Sequence, residues 1–478
     1  MKLPVSKVAA ILKADFAVAP ANPERTVCGI TWDSREVQPG YAYVALPGER
    51  VDGHTFIASA LEKGAACAIA MQEPSEEAVA AAKAAEGAII MVPDTFQAFP
   101  ELARGWREYL TGTVLALTGS MGKTTTKNLV RDVLATTLSG TATKANQNNE
   151  LGVPRTVLDA NEEDQFVVVE MGMRGLGQIS HLVDFVRPSM ALITNVAECH
   201  LELLGSKENI ARAKSEVLET LEAGSACVLN AADAFTQQIC EWQKLNERGI
   251  EVLLFDGSGN AQPQNQQLIA YATDIQLDEQ GQPAFTLHLP EGAFPCKLGL
   301  RGAHNVNNAC AAAAVAWRLG IPAQSIVAGL AGAQAESGRQ EVVCSKSGVT
   351  VMNDAYNANP DSMCASLAVL CAMEVSGRRY AVLGDMGELG SYTEEGHKKA
   401  GAFVASSKVD FLICIGELSC LIAEGAKEAG FPQENILQAQ SCEEALAYLT
   451  EYAVSGDAVL VKASHSMELD RIAKGLLN

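Results

Sequence analysis

The apolar run Val114-Leu115-Ala116-Leu117-Thr118 leads directly into Gly119-Ser120-Met121-Gly122-Lys123-Thr124. The run reads as a buried strand. Lys123–Leu138 reads as a helix with Leu129, Val130, Val133, Leu134 and Leu138 as its apolar positions. A glycine loop between a strand and a helix is a phosphate cradle. Glycine lets backbone N–H groups turn toward an anion, and the helix N-terminus adds its positive dipole. Lys123 would reach the β- and γ-phosphates of a nucleotide and Thr124 would ligate magnesium. The full G-x-x-x-x-G-K-[ST] spacing requires glycine at position 117, where Leu117 stands, so the match is to a shorter G-x-x-G-K-T form. The bland alternative is a glycine turn followed by an exposed lysine.

Outward from the loop, strand and helix alternate. Strands are expected at Phe166–Glu170, Met190–Asn195, Ala226–Asn230 and Glu251–Phe255, with a helix near Ser206–Leu221. That order implies a mostly parallel sheet covered by helices on both faces. The polar, Gln-rich stretch 256–300 is expected to form strands of a peripheral sheet. After about Ser337 the pattern restarts, with a hairpin Glu341–Ser345/Val349–Asn353 and strands Tyr380–Leu383, Phe411–Ile415 and Ala458–Val461. No G-x-G-x-x-G dinucleotide fingerprint accompanies this second unit. Before residue 110 lie a punctuated stretch, Thr31-Trp32-Asp33-Ser34-Arg35-Glu36-Val37-Gln38-Pro39-Gly40, an apolar run Tyr41–Leu46 and an Ala-rich helical segment at 76–86. The expected class is α/β in three domains, 1–110, 111–336 and 337–478, a number consistent with 478 residues.

Composition narrows the function. A formal charge of −21 argues against sequence-independent nucleic-acid binding and against anionic membrane surfaces. The 13 cysteines, an odd number without a C-x-x-C pair, sit in apolar contexts such as Ala65-Ala66-Cys67 and read as reduced core residues rather than disulfides or a zinc site. Lys7, Lys13 and Asp15 surround too short an apolar run for a secretory signal, and no run nears the roughly 18 residues of a membrane helix. A cytoplasmic protein is expected.

Glu170 ends its strand and His200 follows another, so both fall at the strand ends where ligands of open α/β sheets gather. Each also reads as an ordinary solvated side chain. Lys214 shares a helix face with Ile210, Ala213, Val217, Leu218 and Leu221, where an unpaired ammonium is costly. Either its head group snorkels to solvent, or its amine lies near a metal or is modified.

Several separated motifs, in order, resemble the Mur ligases, the ATP-dependent amide-forming family of peptidoglycan synthesis. They are Asp33-Ser34-Arg35, the Gly119–Thr124 loop, the run from Asn146 through Asn148-Asn149 to Gly152-Val153-Pro154, and Glu170-Met171-Gly172. Farther on come His200-Leu201-Glu202, Ala213-Lys214-Ser215-Glu216, the His304–Asn308 run, Gly338-Arg339, Asn353 to Ser362 and Lys462-Ala463-Ser464. The resemblance implies an N-terminal α/β domain for a UDP-sugar, a central parallel-sheet P-loop ATPase domain and a C-terminal Rossmann-like domain. It implies ATP contacts from Gly119, Ser120, Met121, Gly122, Lys123, Thr124 and Thr125, with Asn305 on adenine, Asp354 on ribose and Arg339 on phosphate. Magnesium would be served by Thr124, Glu170, His200 and Lys214, the last as a carbamylated lysine, and Lys123, His200 and Lys214 would carry the catalysis. Ser34 and Arg35 would hold the uridine diphosphate, and Asn148, Asn149, Tyr356, Asn357 and Asn359 the rest of the substrate.

Within the family, the Asn-rich run and Tyr356-Asn357-Ala358-Asn359-Pro360 favour the member that joins D-alanyl-D-alanine to UDP-N-acetylmuramoyl-tripeptide. The implied protein is a monomer that neither binds nucleic acid nor enters a membrane. Alternatives of the same superfamily are a sister Mur ligase or a folylpolyglutamate synthase-like ligase. One departure stands out. His465 follows Lys462-Ala463-Ser464 where the family usually has arginine, and histidine lacks arginine's permanent fork of donors.

Overall fold

The computed structural model describes residues 1–48, 51–198, 201–261 and 267–478. The apolar runs become strands buried on both faces, as the cores of parallel sheets require. Phe166–Glu170 and Ala226–Asn230 are buried at every residue. Seven parallel strands form the central sheet, in the order Gly140–Ala142, Phe166–Glu170, Thr113–Thr118, Met190–Ile193, Ala226–Asn230, Glu251–Asp256 and Leu268–Leu277. The chain leaves Thr113–Thr118 to build toward one edge, then returns as Met190–Ile193 on its other side. That reversal makes the carboxyl end of Thr113–Thr118 a topological switch point, the place where open α/β sheets bind ligands.

Three expectations need correction. The described residues of 256–300 do not make a separate sheet. Leu268–Leu277 joins the parallel run, and Pro283–Leu289 and Gly292–Lys297 extend the same sheet antiparallel. Pro283–Leu289 alternates buried with more open residues, as a strand with one wet face does, and Gly292–Lys297 beyond it is mostly exposed. The helix after the loop ends at Leu134, not Leu138. Thr136 turns its hydroxyl back onto the Val133 carbonyl at 2.7 Å, a local bond that competes with helix. The helix near 206–221 is Lys207–Ser215, closed by a tighter turn at Glu216–Leu218.

The C-terminal unit has the expected hairpin, Glu341–Cys344 with Thr350–Asn353, at the edge of a sheet otherwise parallel. Its order continues through Ala458–Lys462, Arg379–Gly384, Phe411–Ile415 and Ile436–Ala439. The N-terminal unit carries four parallel strands, Gly29–Thr31, Tyr41–Val44, Cys67–Ala70 and Ala88–Met91, with Asp15–Val18 antiparallel at one edge. Helix Thr95–Arg107 fastens this unit to the central one. Phe99, Leu102 and Trp106 are buried in a core that continues into Val153, Val157 and Val183, and the Trp106 indole donates to the Ala160 carbonyl at 3.0 Å. All described cysteines are free.

Candidate functional site

The loop is shaped by close approach. Gly122 is left-handed at φ 75°, and a Cβ there would overlap Asn308 Oδ1; a Cβ on Gly119 would overlap Thr194 Oγ1. The end of the neighbouring strand braces the loop. Asn195 Oδ1 accepts from the Met121 amide at 2.9 Å, Thr194 Oγ1 donates to the Met121 carbonyl at 2.7 Å, and the Ser120 hydroxyl donates to Ala197 O at 3.0 Å. Lys123 Nζ folds back onto the carbonyls of Gly119 and Ser120 at 2.9 and 3.4 Å. Thr125 lines the cleft beside it.

Registry places Glu170 level with Leu117 on the adjacent strand, so its carboxylate stands beside the loop. Oε1 accepts from Thr124 Oγ1 at 3.1 Å and from Asn148 Nδ2 at 2.9 Å. Oε2 is buried without a hydrogen-bond partner, and Lys127 Nζ stands 3.9 Å from it. A hydroxyl and a carboxylate with one oxygen unspent are hard donors of the kind Mg2+ takes alongside substrate phosphates and water. The residues fit that ion. His200 lies outside the described residues. Lys214 is only 2 % exposed, on the face it shares with Ile210, Ala213, Val217 and Leu218, so its head group does not snorkel to solvent.

The opposite wall comes from the C-terminal unit. Strands Thr350–Asn353 and Ala458–Lys462 run parallel with Asn353 level with Val461, which sets Asp354 beside Lys462 at their carboxyl ends. Lys462 Nζ donates to Asp354 Oδ2 at 2.7 Å and to Asn357 O at 2.9 Å; Ser366 Oγ adds 2.5 Å to the same Oδ2, and the Gln340 amide reaches Oδ1 at 3.1 Å. The Arg339 guanidinium lies 3.9 Å over the Tyr356 ring, and His465 packs against that ring at 5.4 Å. One cleft of about 1720 Å³ is lined by Lys123, Thr124, Glu170 and Asn305 on one side and Arg339, Asp354, Tyr356 and Lys462 on the other.

Some expected contacts are already spent on structure. Asn305 Nδ2 donates to Arg301 O at 2.6 Å. Asn149 Oδ1 caps helix Gly152–Asp159 through Gly152 N at 2.9 Å, and Asn359 caps helix Pro360–Ala372 in a capping box with Ser362. Asn357 Oδ1 accepts from Ala358 N at 2.9 Å, while Asn148, Asn149, Asn357 and Asn359 all line the cleft. Ser34 and Arg35 stand apart, near helix Gly152–Asp159. Arg35 is clamped on Asp33 at 2.6 Å, and those bonds hold the Asp33 carboxyl down to about 2; the Lys63 ammonium takes the Ser34 carbonyl at 2.7 Å. Sequence reasoning passed over Lys127, Asn195, Ser366 and Gln340. Only Lys127 carried a signal, since it is on the buried stripe of its helix with Val130 and Leu134, as Lys214 is on its own.

A P-loop at a switch point, facing a second parallel-sheet unit across one cleft, defines an ATP-dependent, ADP-forming ligase. The models for the Mur ligase family, catalytic domain (residues 26–107), the Mur ligase middle domain (117–316) and the Mur ligase, glutamate ligase domain (338–465) all match, and the chain belongs to the Mur ligase family. It is similar to the UDP-N-acetylmuramoyl-tripeptide--D-alanyl-D-alanine ligase of Bacillus subtilis (strain 168), 33% identical over 100% of this chain and 99% of that one. The Mycobacterium tuberculosis (strain ATCC 25618 / H37Rv) protein of the same name is 34% identical over 100% and 98%. The crystal structure of MurF from Acinetobacter baumannii superimposes with a TM-score of 0.84 at 31% identity, covering 100% and 99%; MurF ligase from Thermotoga maritima in complex with ADP gives 0.76 at 27%, covering 94% and 97%.

Proposed function

We propose that this ligase joins D-alanyl-D-alanine to UDP-N-acetylmuramoyl-tripeptide, with ATP, in the synthesis of peptidoglycan precursors, and that it does so as a cytoplasmic monomer. The observation that carries the reading is the single cleft with the phosphate loop on one wall and Arg339, Asp354 and Lys462 on the other. The names of the full-length relatives supply the substrate pair. Among the described residues no helix is long and apolar enough to cross a membrane.

On this reading, residues 1–110 hold the UDP-sugar end through Ser34 and Arg35, 111–336 hold the triphosphate, and 337–478 close on the nucleotide. The tripeptide's terminal carboxylate attacks the γ-phosphorus, ADP leaves, and an acyl phosphate remains. The free amine of D-alanyl-D-alanine then attacks the activated carbonyl and phosphate leaves. Lys123 swings from the loop carbonyls to the transferring phosphoryl group and neutralises its charge. Thr124, Glu170, His200 and a carbamate on Lys214 would hold Mg2+, which when bound supplies charge neutralisation at the phosphates. Asn305, Arg339 and Asp354 would hold adenine, phosphate and ribose. Asn148, Asn149, Tyr356, Asn357 and Asn359 would line the peptide end. Shielding the acyl phosphate from water requires the two walls to approach.

ADP release measured with each nucleotide-sugar and amine pair tests the proposal. ADP is expected only when the tripeptide nucleotide and D-alanyl-D-alanine are both present. Turnover with a shorter muramoyl peptide and a single amino acid would make it a sister ligase, and turnover with a folate and glutamate would move it out of peptidoglycan synthesis.

A further inference from the structure

Lys127 is one helical turn beyond Lys123, yet it points beneath the loop rather than into the cleft, and is 1 % exposed. Burial pushes its ammonium below the ordinary lysine value, while Glu170 and Glu336 pull it back up. Its Nζ donates to the carbonyl of Ala145 at 3.2 Å. Ala145 is left-handed at φ 45°, a conformation an alanine adopts only when something holds it. The residues that follow include Asn146, Asn148 and Asn149, which line the cleft. Asn148 Nδ2 donates to Glu170 Oε1, its backbone carbonyl accepts from Gly172 N at 2.8 Å, and Asn149 caps the following helix. One buried cation thus joins the phosphate-loop helix to the turn that aims the asparagines, 3.9 Å from the unsatisfied oxygen of Glu170.

We infer that Lys127 is a positioning residue for the Asn146–Asn149 loop, setting the substrate-facing asparagines relative to the phosphate loop without touching substrate. Swapping the ammonium for a methyl thioether removes the donor that holds Ala145 in its left-handed state, and the loop relaxes. The phosphate loop keeps its own bracing from Thr194 and Asn195, and Glu170 keeps its bond from Thr124 Oγ1. The effect therefore falls on one substrate.

The inference rests on the proposed ligase reaction for its kinetic arm only. In Lys127→Met the KM for the nucleotide-sugar peptide is expected to rise about tenfold or more, the scale of losing an orienting partner, with the KM for ATP within about twofold. Lys127→Gln, which still donates, falls between wild type and Lys127→Met, and serves if the methionine variant does not fold. Hydrogen exchange gives a readout independent of activity. Amides of Asn146–Gly152 should exchange faster in either variant while those of Lys123–Leu134 do not change. Lower thermal stability with both KM values and the loop amides unchanged would make Lys127 merely structural and overturn the inference. A parallel rise in both KM values would overturn it as well, because the phosphate loop itself would then be disturbed. Wild-type enzyme inactive on these substrates would sink the functional reading alone, leaving the exchange experiment to decide the role of Lys127.

Discussion

Lys123 rests on two carbonyl oxygens that compete weakly with a triphosphate, so its ammonium is held ready within the loop. Lys123→Ala should cut ADP production on the order of 1000-fold or more, the scale at which a cation on a transferring phosphoryl group acts, with an unchanged thermal midpoint. Near-normal turnover by a folded variant would remove the phosphate-loop assignment. Lys214 is buried on the helix face it shares with Ile210, Ala213, Val217 and Leu218. On the proposed reading its amine would carry a carbamate, a metal-binding anion. Lys214→Ala is expected to be nearly inactive and partly rescued by acetate, and Lys214→Arg to stay inactive because guanidinium keeps its charge. An active Lys214→Met enzyme would show that the side chain only packs its stem.

Among the elements, two of the asparagines that resemblance assigns to substrate, Asn149 and Asn359, serve at helix N-termini. Asn359 satisfies the Ser362 amide at 2.8 Å while Ser362 Oγ returns the bond at 2.9 Å. Pro360 at the first helical position needs no donor of its own. Asn359→Ala should therefore cost about 1 kcal/mol in urea unfolding, and Asn359→Asp, which caps as well, should keep most of that stability. If both variants unfold like wild type yet lose affinity for the peptide substrate, the asparagine acts on substrate alone and the cap contributes nothing measurable.

Across the whole molecule, the cleft exists because the central and C-terminal sheets both bring strand carboxyl ends to it. Asp354 is 230 residues beyond Thr124 in the chain, yet both line the same cleft. Asp354→Ala is expected to weaken ATP binding by about tenfold or more, since it removes a polar contact and strands the buried Lys462 ammonium. Isothermal titration with ATP and with the peptide nucleotide separates the possibilities. Unchanged ATP affinity with weaker peptide binding would end the bridging model.

Elements with strong local signals were legible without coordinates. Val114–Thr118 and Phe166–Glu170 could be read because apolar β-branched runs between turn residues have few other stable fates. The glycine loop could be read because strand, glycines, lysine and helix follow one another locally, although the close approaches of Thr194 and Asn308 that require the glycines come from far along the chain. Helical periodicity put Lys214 on an apolar face but left open whether its head group reaches solvent, and the same periodicity would have put Lys127 on the buried stripe of its helix. Strands were expected somewhere in 256–300, but neither the bounds Pro283–Leu289 and Gly292–Lys297 nor their place in the central sheet could be read, because which edge a strand joins depends on partners far off in the chain. Tertiary structure alone decided that Asp354 pairs with Lys462, that Asn195 braces Met121 and that Glu170 keeps an unsatisfied oxygen. Those contacts are set by strand register across the sheets, which brings together side chains separated by up to 108 residues, and local sequence carries no information about register at that distance.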